Sequence, residues 1–120
     1  MESNEKQYWK KYYNDQSKVQ QSANLHRNIQ RTRNGEVIDE DTWNKTITYI
    51  CDTLKIDASS NVLELCCGNG VIIGEISKNC KSALGIDYSP ILLKQLKEKY
   101  NQKNLSVLEE DILDLSLIHI

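Results

Sequence analysis

Two different spacings of apolar residues along the chain predict two kinds of element. Residues 1–34 are mostly polar, with paired aromatic residues near the start, and this predicts a short helix followed by a polar stretch. From about residue 39 the apolar residues recur at helical spacing, which predicts a longer helix with one apolar face. That face consists of Trp43, Ile47, Ile50, Cys51 and Leu54.

The second half of the chain alternates short apolar runs with helical patterns. The runs predict buried parallel strands at 61–65, 82–87 and 105–109. A helix is predicted over 71–76, and another begins after Ser89, which can act as an N-cap in front of Pro90. The resulting β-α-β-α-β order predicts an α/β fold. It is a partial doubly wound (Rossmann-like) parallel sheet preceded by N-terminal helices.

Composition narrows the class of protein. The 120 residues carry a formal net charge of −2, which argues against a protein that coats nucleic acid. The apolar runs are too short to span a bilayer, and the N-terminus has no apolar stretch typical of a secretory signal. The four cysteines fit no zinc-ligand spacing. We therefore expect a cytoplasmic protein with free thiols, no metal site and no membrane span.

Three acidic residues fall at or just after the ends of the three predicted strands. Glu64, Asp87 and Asp111 are 23 and 24 residues apart, which is one β-α unit each. Because ligands of such sheets bind outside the carboxyl ends of the strands, we expect the three side chains to share one cleft. A turn containing Gly68 and Gly70 follows the first strand and allows a ligand to approach the backbone closely.

The residue types in this cleft favour an adenosine that carries a substituent other than phosphate. Glu64 disfavours a pyrophosphate at the glycine turn. Asp87 can accept hydrogen bonds from both hydroxyls of a ribose, and Asp111 can accept one from an exocyclic amine. Ile112 can lie against a flat ring.

Three segments together resemble the motifs of class I S-adenosylmethionine-dependent methyltransferases. Residues 62–70 (VLELCCGNG) resemble the first motif, residues 84–90 (LGIDYSP) the second, and residues 110–112 (EDI) the third. Their order and spacing over about residues 40–114 are more specific than any single motif. One departure is Cys66, where glycine is common; we expect it to matter little if the backbone there is not left-handed.

The resemblance implies a methyltransferase with S-adenosylmethionine as cofactor and assigns a role to each matching residue. Glu64 would anchor the methionine amino group, and the backbone at Cys66, Gly68 and Gly70 would line the methionine and ribose. Asp87 would bind the ribose hydroxyls, Tyr88 would flank the adenine, Asp111 would accept from its amino group, and Ile112 would pack on the ring. Lid candidates on the N-terminal helix are Tyr8, Trp9, Tyr12 and Tyr13. No catalytic residue can be assigned.

Two other functions and several acceptors stay open at this point. An NAD-dependent oxidoreductase fits Gly68 and Gly70 followed by Asp87, but the third glycine of its fingerprint would fall at Ile73. A non-catalytic scaffold that keeps the fold is the second alternative. We expect a small-molecule methyl acceptor. Residues 1–34 carry seven basic and three acidic groups, so RNA or protein remains open.

The end of the chain differs from the family's pattern, which continues into a fourth strand. Residues 115–120 (LSLIHI) also match one reading frame of a sequencing-library adapter, and we hypothesise that they are a non-native tail on a truncated frame. We therefore divide the chain into an N-terminal helical or lid segment (1–34), a partial cofactor-binding domain (35–114) and this tail. We expect the 120-residue polypeptide to be marginally stable and inactive by itself, with strand 61–65 at an exposed edge.

Overall fold

The computed structural model describes residues 4–114, and its N-terminal half is helical apart from one small hairpin. The elements in this half are α1 (Asn4–Tyr13), α2 (Leu25–Asn28), β1 (Thr32–Arg33), β2 (Glu36–Val37) and α3 (Glu40–Leu54). The sequence did not predict the hairpin. It is closed by Asn34 and Gly35, with φ angles of 52° and 78°, and Asn-Gly is a strong signal for such a turn. The boundary placed at residues 34/35 therefore falls inside this turn.

Helix α3 confirms the helix predicted from about residue 39. The Asp39 carboxylate accepts a hydrogen bond from the Thr42 backbone N–H at 2.8 Å and so caps the helix. Trp43 and Ile47 are buried, as the apolar face requires. The prediction is wrong for Leu54, which is 65% exposed. Leu54 is the last residue of α3.

The three predicted strands are confirmed as one parallel sheet. Along the second half the elements are β3 (Asn61–Leu65), α4 (Ile73–Ile76), β4 (Ser82–Asp87), α5 (Pro90–Lys99) and β5 (Leu105–Glu109). The strand order is β3-β4-β5, with Glu64 paired to Gly85 and Asp87 paired to Glu109. The acidic side chains of β3 and β4 therefore lie close together, near the carboxyl ends of these strands.

The helices after β3 and β4 differ in how well the sequence predicts them. Helix α5 begins as expected, because the Ser89 hydroxyl accepts a hydrogen bond from the Leu92 N–H at 3.2 Å and Pro90 occupies the first turn. Helix α4 is shorter than predicted, since the chain is still in the glycine turn at Val71 and Ile72. A 3-10 turn at Ser77–Asn79 follows it.

The main core lies on the face of the sheet that α4 and α5 cover. Ile73, Ala83 and Leu96 are almost completely buried there. On β3, Leu63 and Leu65 remain 42% and 49% exposed, and β3 is an edge of the sheet in the part of the chain that the structure describes. Residues 115–120, the hypothesised tail, lie outside the described residues. None of the helices within residues 4–114 has the length and apolar character needed to cross a bilayer.

Candidate functional site

A cavity of about 350 Å³ lies at the carboxyl ends of β3 and β4, and we call it the strand-end cavity. Five of the predicted cofactor-binding residues line it: Glu64, Cys66, Gly68, Asp87 and Tyr88. Its other lining residues are Tyr13, Ile29, Arg31, Cys67, Val71, Ile72 and Leu92. The ends of β3 and β4 and the glycine turn therefore form one concave site, which two of the three predicted acidic residues line.

Glu64 is the most strongly perturbed carboxyl group of the cavity. Burial raises its pKa from an ordinary value of 4.5 to about 7, and the negative charge of Asp87 adds to the rise. A hydrogen bond from the Ile73 N–H and the positive charge of Arg31 act in the opposite direction. Its buried Oε1 atom has no hydrogen-bond partner among the described residues. A cationic donor in the cavity would satisfy this oxygen.

Asp87 holds the glycine turn against the start of α5. One carboxylate oxygen accepts from the Gly68 N–H at 2.9 Å, and the other accepts from the Ser89 N–H at 2.9 Å. Asp87 is only 7% exposed. Each carboxylate oxygen can accept more than one hydrogen bond, so these two contacts are compatible with additional bonds to a diol.

The backbone of the turn adopts left-handed conformations at three of the predicted positions. Gly68 and Gly70 have φ angles of 57° and 81°, which glycine tolerates without strain. Cys66 has φ 58°, so the condition under which its departure from glycine would matter little is not met. A left-handed backbone costs a residue with a Cβ about 1–2 kcal/mol. Cys66 therefore carries a local strain that the sequence did not reveal.

Gly70 faces the core rather than the cavity. A Cβ at this position would lie 2.6 Å from the Leu96 side chain, so glycine permits the close packing of the turn on α5. Gly70 therefore does not line the cavity, and its predicted contact with a ligand stays a prediction. In the structure, the absence of a side chain at Gly70 lets the turn pack closely on α5.

Asp111 lies beside the cavity without lining it. Its carboxylate forms an ion pair with the Lys10 ammonium of α1 at 2.9 Å. Its charge still reaches the site: burial raises the pKa of the Cys66 thiol, and Asp87, Asp111 and Glu64 raise it further. Of the three predicted carboxylates, Glu64 and Asp87 line the cavity and Asp111 acts on it only through its charge. Ile112 is 38% exposed and also lies outside the cavity lining.

One of the four lid candidates contributes to the cavity. Tyr13, the last residue of α1, lines it, and the Tyr13 carbonyl accepts a hydrogen bond from the Ser89 hydroxyl. Tyr12 instead accepts a hydrogen bond from the Gln30 amide at 2.9 Å. Tyr8 and Trp9 are 54% and 41% exposed. Helix α1 thus covers the edge of the site through its C-terminal end.

Tyr88 is the aromatic side chain that the second motif places in the cavity. Burial and the negative charge of Asp87 raise the pKa of its phenol to about 12, with Tyr13 next in effect. Tyr88 and Tyr13 therefore stay neutral at physiological pH and present aromatic surface to a ligand.

Sequence reasoning missed the contribution of residues 20–31. Arg31 lines the cavity although it lies in the polar stretch, and no local pattern distinguished it from a solvated arginine. A buried amide network joins the same stretch to the site. Gln95 Oε1 accepts hydrogen bonds at 3.0 Å from both the Asn28 and Asn69 amides, and the Asn69 amide also donates to the Leu25 carbonyl. This network fixes the glycine turn through Asn69.

Known methyltransferases resemble the second half of this chain in sequence and fold. Residues 62–119 match a family model described as a methyltransferase domain. This segment, just under half of the chain, is similar to the methyltransferase domain family. The match includes β3 from Val62 onward, the glycine turn and all three of the acidic positions discussed above. The strand order agrees with the Rossmann-like sheet that the motifs predict.

Individual methyltransferases share part of this sequence or its fold. An uncharacterized methyltransferase of Schizosaccharomyces pombe is 35% identical over 49 residues, which are 41% of this chain and 19% of that protein. A structure of coclaurine N-methyltransferase bound to N-methylheliamine and SAH aligns with a TM-score of 0.60 and 22% identity, over 72% of this chain and 27% of that one. The 23S rRNA methyltransferase ErmE aligns with a TM-score of 0.53 and 28% identity, over 65% and 31%. The chain thus spans less than a third of the length of each.

Proposed function

We propose that this chain binds S-adenosylmethionine and forms the cofactor-binding part of a methyltransferase. The observation that carries the proposal is the pairing, in one cavity, of the buried and unpartnered Glu64 Oε1 with the two-oxygen acceptor Asp87. The first suits an ammonium group and the second suits a ribose diol. A match to the methyltransferase domain family and a structural neighbour bound to SAH support it.

The residues of the cavity fit the parts of this cofactor. Glu64 would bind the methionine ammonium, Asp87 the ribose hydroxyls, and the aromatic rings of Tyr88 and Tyr13 would flank the adenine. Asp111, which already accepts from the Lys10 ammonium and the Leu113 N–H, would accept a further hydrogen bond from the adenine amino group. When bound, the cofactor supplies an electrophilic methyl group on a sulfonium. The protein's own contribution is to hold the ligand in a fixed position and to exclude water.

For the methyl acceptor we propose only a chemical class. The similar structures include a small-molecule and an rRNA methyltransferase. We favour a small molecule, because the overall charge of −2 offers little attraction to a nucleic-acid backbone. A cytoplasmic location stays a prediction from the sequence.

The structure also bears on the nicotinamide alternative. Ile73 occupies the place of the third glycine of the dinucleotide fingerprint, and it is completely buried at the start of α4. Glu64 puts a carboxylate beside the turn where a pyrophosphate would lie. Both features favour a ligand without phosphate.

Calorimetric titration of the full-length protein tests the proposal. We expect S-adenosylhomocysteine to bind and NAD not to bind. Asp87→Ala should weaken binding by about 100-fold, because charge-assisted hydrogen bonds contribute about 1.5–3 kcal/mol each. Asp41→Ala, at an exposed ion pair on α3, is the matched control and should bind normally. Tight NAD binding would support the oxidoreductase, and an unchanged affinity of Asp87→Ala would support the scaffold.

A further inference from the structure

We infer that His26 is a pH-sensitive switch: its neutral form lets the Arg31 guanidinium lie on the Trp43 ring, and its protonation displaces the guanidinium. Arg31 lines both the strand-end cavity and an open groove along the β1–β2 hairpin, so its side chain lies between the two. Displacement of Arg31 therefore opens the strand-end cavity toward the hairpin. This inference goes beyond the proposed function, because it concerns access to the cavity and needs no ligand.

His26 and Arg31 lie against the same aromatic ring. The His26 and Trp43 rings meet edge to face, with their centres 4.6 Å apart. The Arg31 guanidinium carbon lies 5.0 Å from the centre of the Trp43 ring, and the Arg31 N–H donates to the His26 carbonyl at 2.8 Å. Trp43 is itself fixed, because it is 7% exposed and its indole N–H donates to the Val71 carbonyl at 3.0 Å. The two side chains therefore share one rigid support.

The surroundings of His26 favour its neutral form. Its Nδ1 atom is buried and has no hydrogen-bond partner among the described residues. Burial lowers the pKa of His26 from its ordinary value of 6.5, and the positive charge of Arg31 lowers it further. A protonated ring would carry a buried N–H without an acceptor and would add a second positive charge beside the guanidinium.

The other charged groups near His26 do not neutralise an imidazolium. The ionisable residues that line the same cleft as His26 are Glu40, Glu75, Lys78, Lys99 and Tyr100. Both carboxylate oxygens of Glu75 accept from the Lys78 ammonium at 3.1 Å, and Glu40 is exposed to water. On α2 itself, the Arg27 guanidinium donates to the Gly35 carbonyl at 3.3 Å. Within residues 4–114, no ion pair includes His26.

Of the side chains on this support, Arg31 is the one that can move. Trp43 is buried and hydrogen-bonded, and α2 is held by the buried Asn28 amide, which donates to Gln95 Oε1 at 3.0 Å. Arg31 is instead exposed, and its guanidinium forms no ion pair in the part of the chain that the structure describes. As the pH falls through the lowered pKa of His26, the guanidinium therefore turns into water and leaves the ring.

NMR titration of the full-length protein from pH 8 to pH 5 tests the switch without any ligand. At pH 8, the ring current of Trp43 should shift the side-chain proton signals of Arg31. We expect this shift to be lost as His26 takes up its proton, with the same midpoint as the imidazole signals of His26 and at a pH below 6.5. The indole N–H signal of Trp43 should persist, because its bond to the Val71 carbonyl remains.

Three variants identify the groups involved. His26→Phe keeps an aromatic ring against Trp43 and cannot titrate, so the Arg31 signals should stay shifted down to pH 5. Arg31→Gln removes the neighbouring charge, so the pKa of His26 should rise toward 6.5. Arg33→Gln is the matched control, since it removes a positive charge of β1 outside the cleft that His26 lines, and it should leave the pKa of His26 at its wild-type value.

The contrary outcomes each overturn the inference. An Arg31 shift that persists while His26 titrates would show that the two groups are independent, and a loss of the shift in His26→Phe would assign it to another group. A His26 pKa above 6.5 would mean that the contact with Trp43 stabilises the imidazolium. An indole signal lost at the same midpoint would indicate general unfolding around α3. None of these results bears on the binding of S-adenosylhomocysteine, which the calorimetric titration tests separately.

Discussion

Replacing Glu64 with glutamine should stabilise the protein at neutral and alkaline pH while removing the proposed ammonium site. The reason is that burial raises the pKa of Glu64 from 4.5 to about 7. The folded protein then binds a proton more tightly than the unfolded chain between these two values. Stability is therefore greatest below the ordinary pKa, falls as the pH rises to about 7, and levels off above it. Glutamine has a similar shape and no charge to desolvate.

The expected magnitude follows from the size of the shift. A pKa shift of one unit corresponds to about 1.4 kcal/mol, so the ionised Glu64 costs the folded state about 3 kcal/mol at pH 8. At pH 5, where most of the folded protein is protonated at this site, the cost is only about 1 kcal/mol. The difference in unfolding free energy between Glu64→Gln and the wild type should grow by about 2 kcal/mol across this range.

Urea unfolding of the full-length protein between pH 5 and pH 8 measures this difference. The fluorescence of Trp43 reports on unfolding, because its ring is buried in the wild type. Glu98→Gln is the matched control, since the Glu98 side chain is 66% exposed on α5. The control should show a difference below about 0.5 kcal/mol at every pH. Added S-adenosylhomocysteine should stabilise the wild type by mass action and leave Glu64→Gln unchanged.

A difference between Glu64→Gln and the wild type that does not change with pH would refute this reasoning. It would mean that the positive charge of Arg31 and the Ile73 N–H compensate the buried carboxylate fully. A Glu64→Gln variant that still gains stability from S-adenosylhomocysteine would instead contradict the assignment of the ammonium to Glu64.

Two predictions concern the turn and the packing of α4. Cys66→Gly should stabilise the protein by about 0.5–1 kcal/mol in urea unfolding, because relief of the left-handed strain at φ 58° exceeds the entropy that glycine adds to the unfolded chain; destabilisation would contradict the strain. Gly74→Ala should destabilise by about 2 kcal/mol, because its Cβ would lie 2.4 Å from the Tyr100 ring. The smaller side chain of Tyr100→Leu should suppress most of that loss in the double mutant, and a purely additive result would exclude the clash.

The sheet could be predicted from the sequence because its determinants are local. Each strand is a short apolar run, and Ser89 with Pro90 defines the start of α5 through neighbouring residues only. The β1–β2 hairpin has a local signal as well, since Asn34-Gly35 is typical of a tight hairpin turn. The site residues on strand ends followed from the same regularity.

The remaining features depend on distant contacts or on unusual local conformations. Lys10 pairs with Asp111 from 101 residues away, and no spacing rule links the two positions. Arg31 lines the cavity only because Gln30 turns the chain and Trp43 supports the guanidinium. Cys66 is a further case, since residues with a Cβ seldom have positive φ and nothing in the sequence indicates that this one does.

The two attachments of the N-terminal segment differ in strength, and this decides which part of it can act as a lid. Residues 20–28 are joined to α5 and the glycine turn by the buried amides of Asn28, Gln95 and Asn69. Separating them would leave several buried polar groups without partners, at about 1–3 kcal/mol each. Helix α1 is held by the partly exposed Lys10–Asp111 ion pair, of a kind that contributes about 1 kcal/mol or less. It is also held by the hydrogen bond from the Ser89 hydroxyl to the Tyr13 carbonyl and by the packing of Tyr12 and Tyr13. Because α1 has no buried amide network of this kind, we expect any opening of the cavity to move α1 and Tyr13, while α2 stays with the sheet.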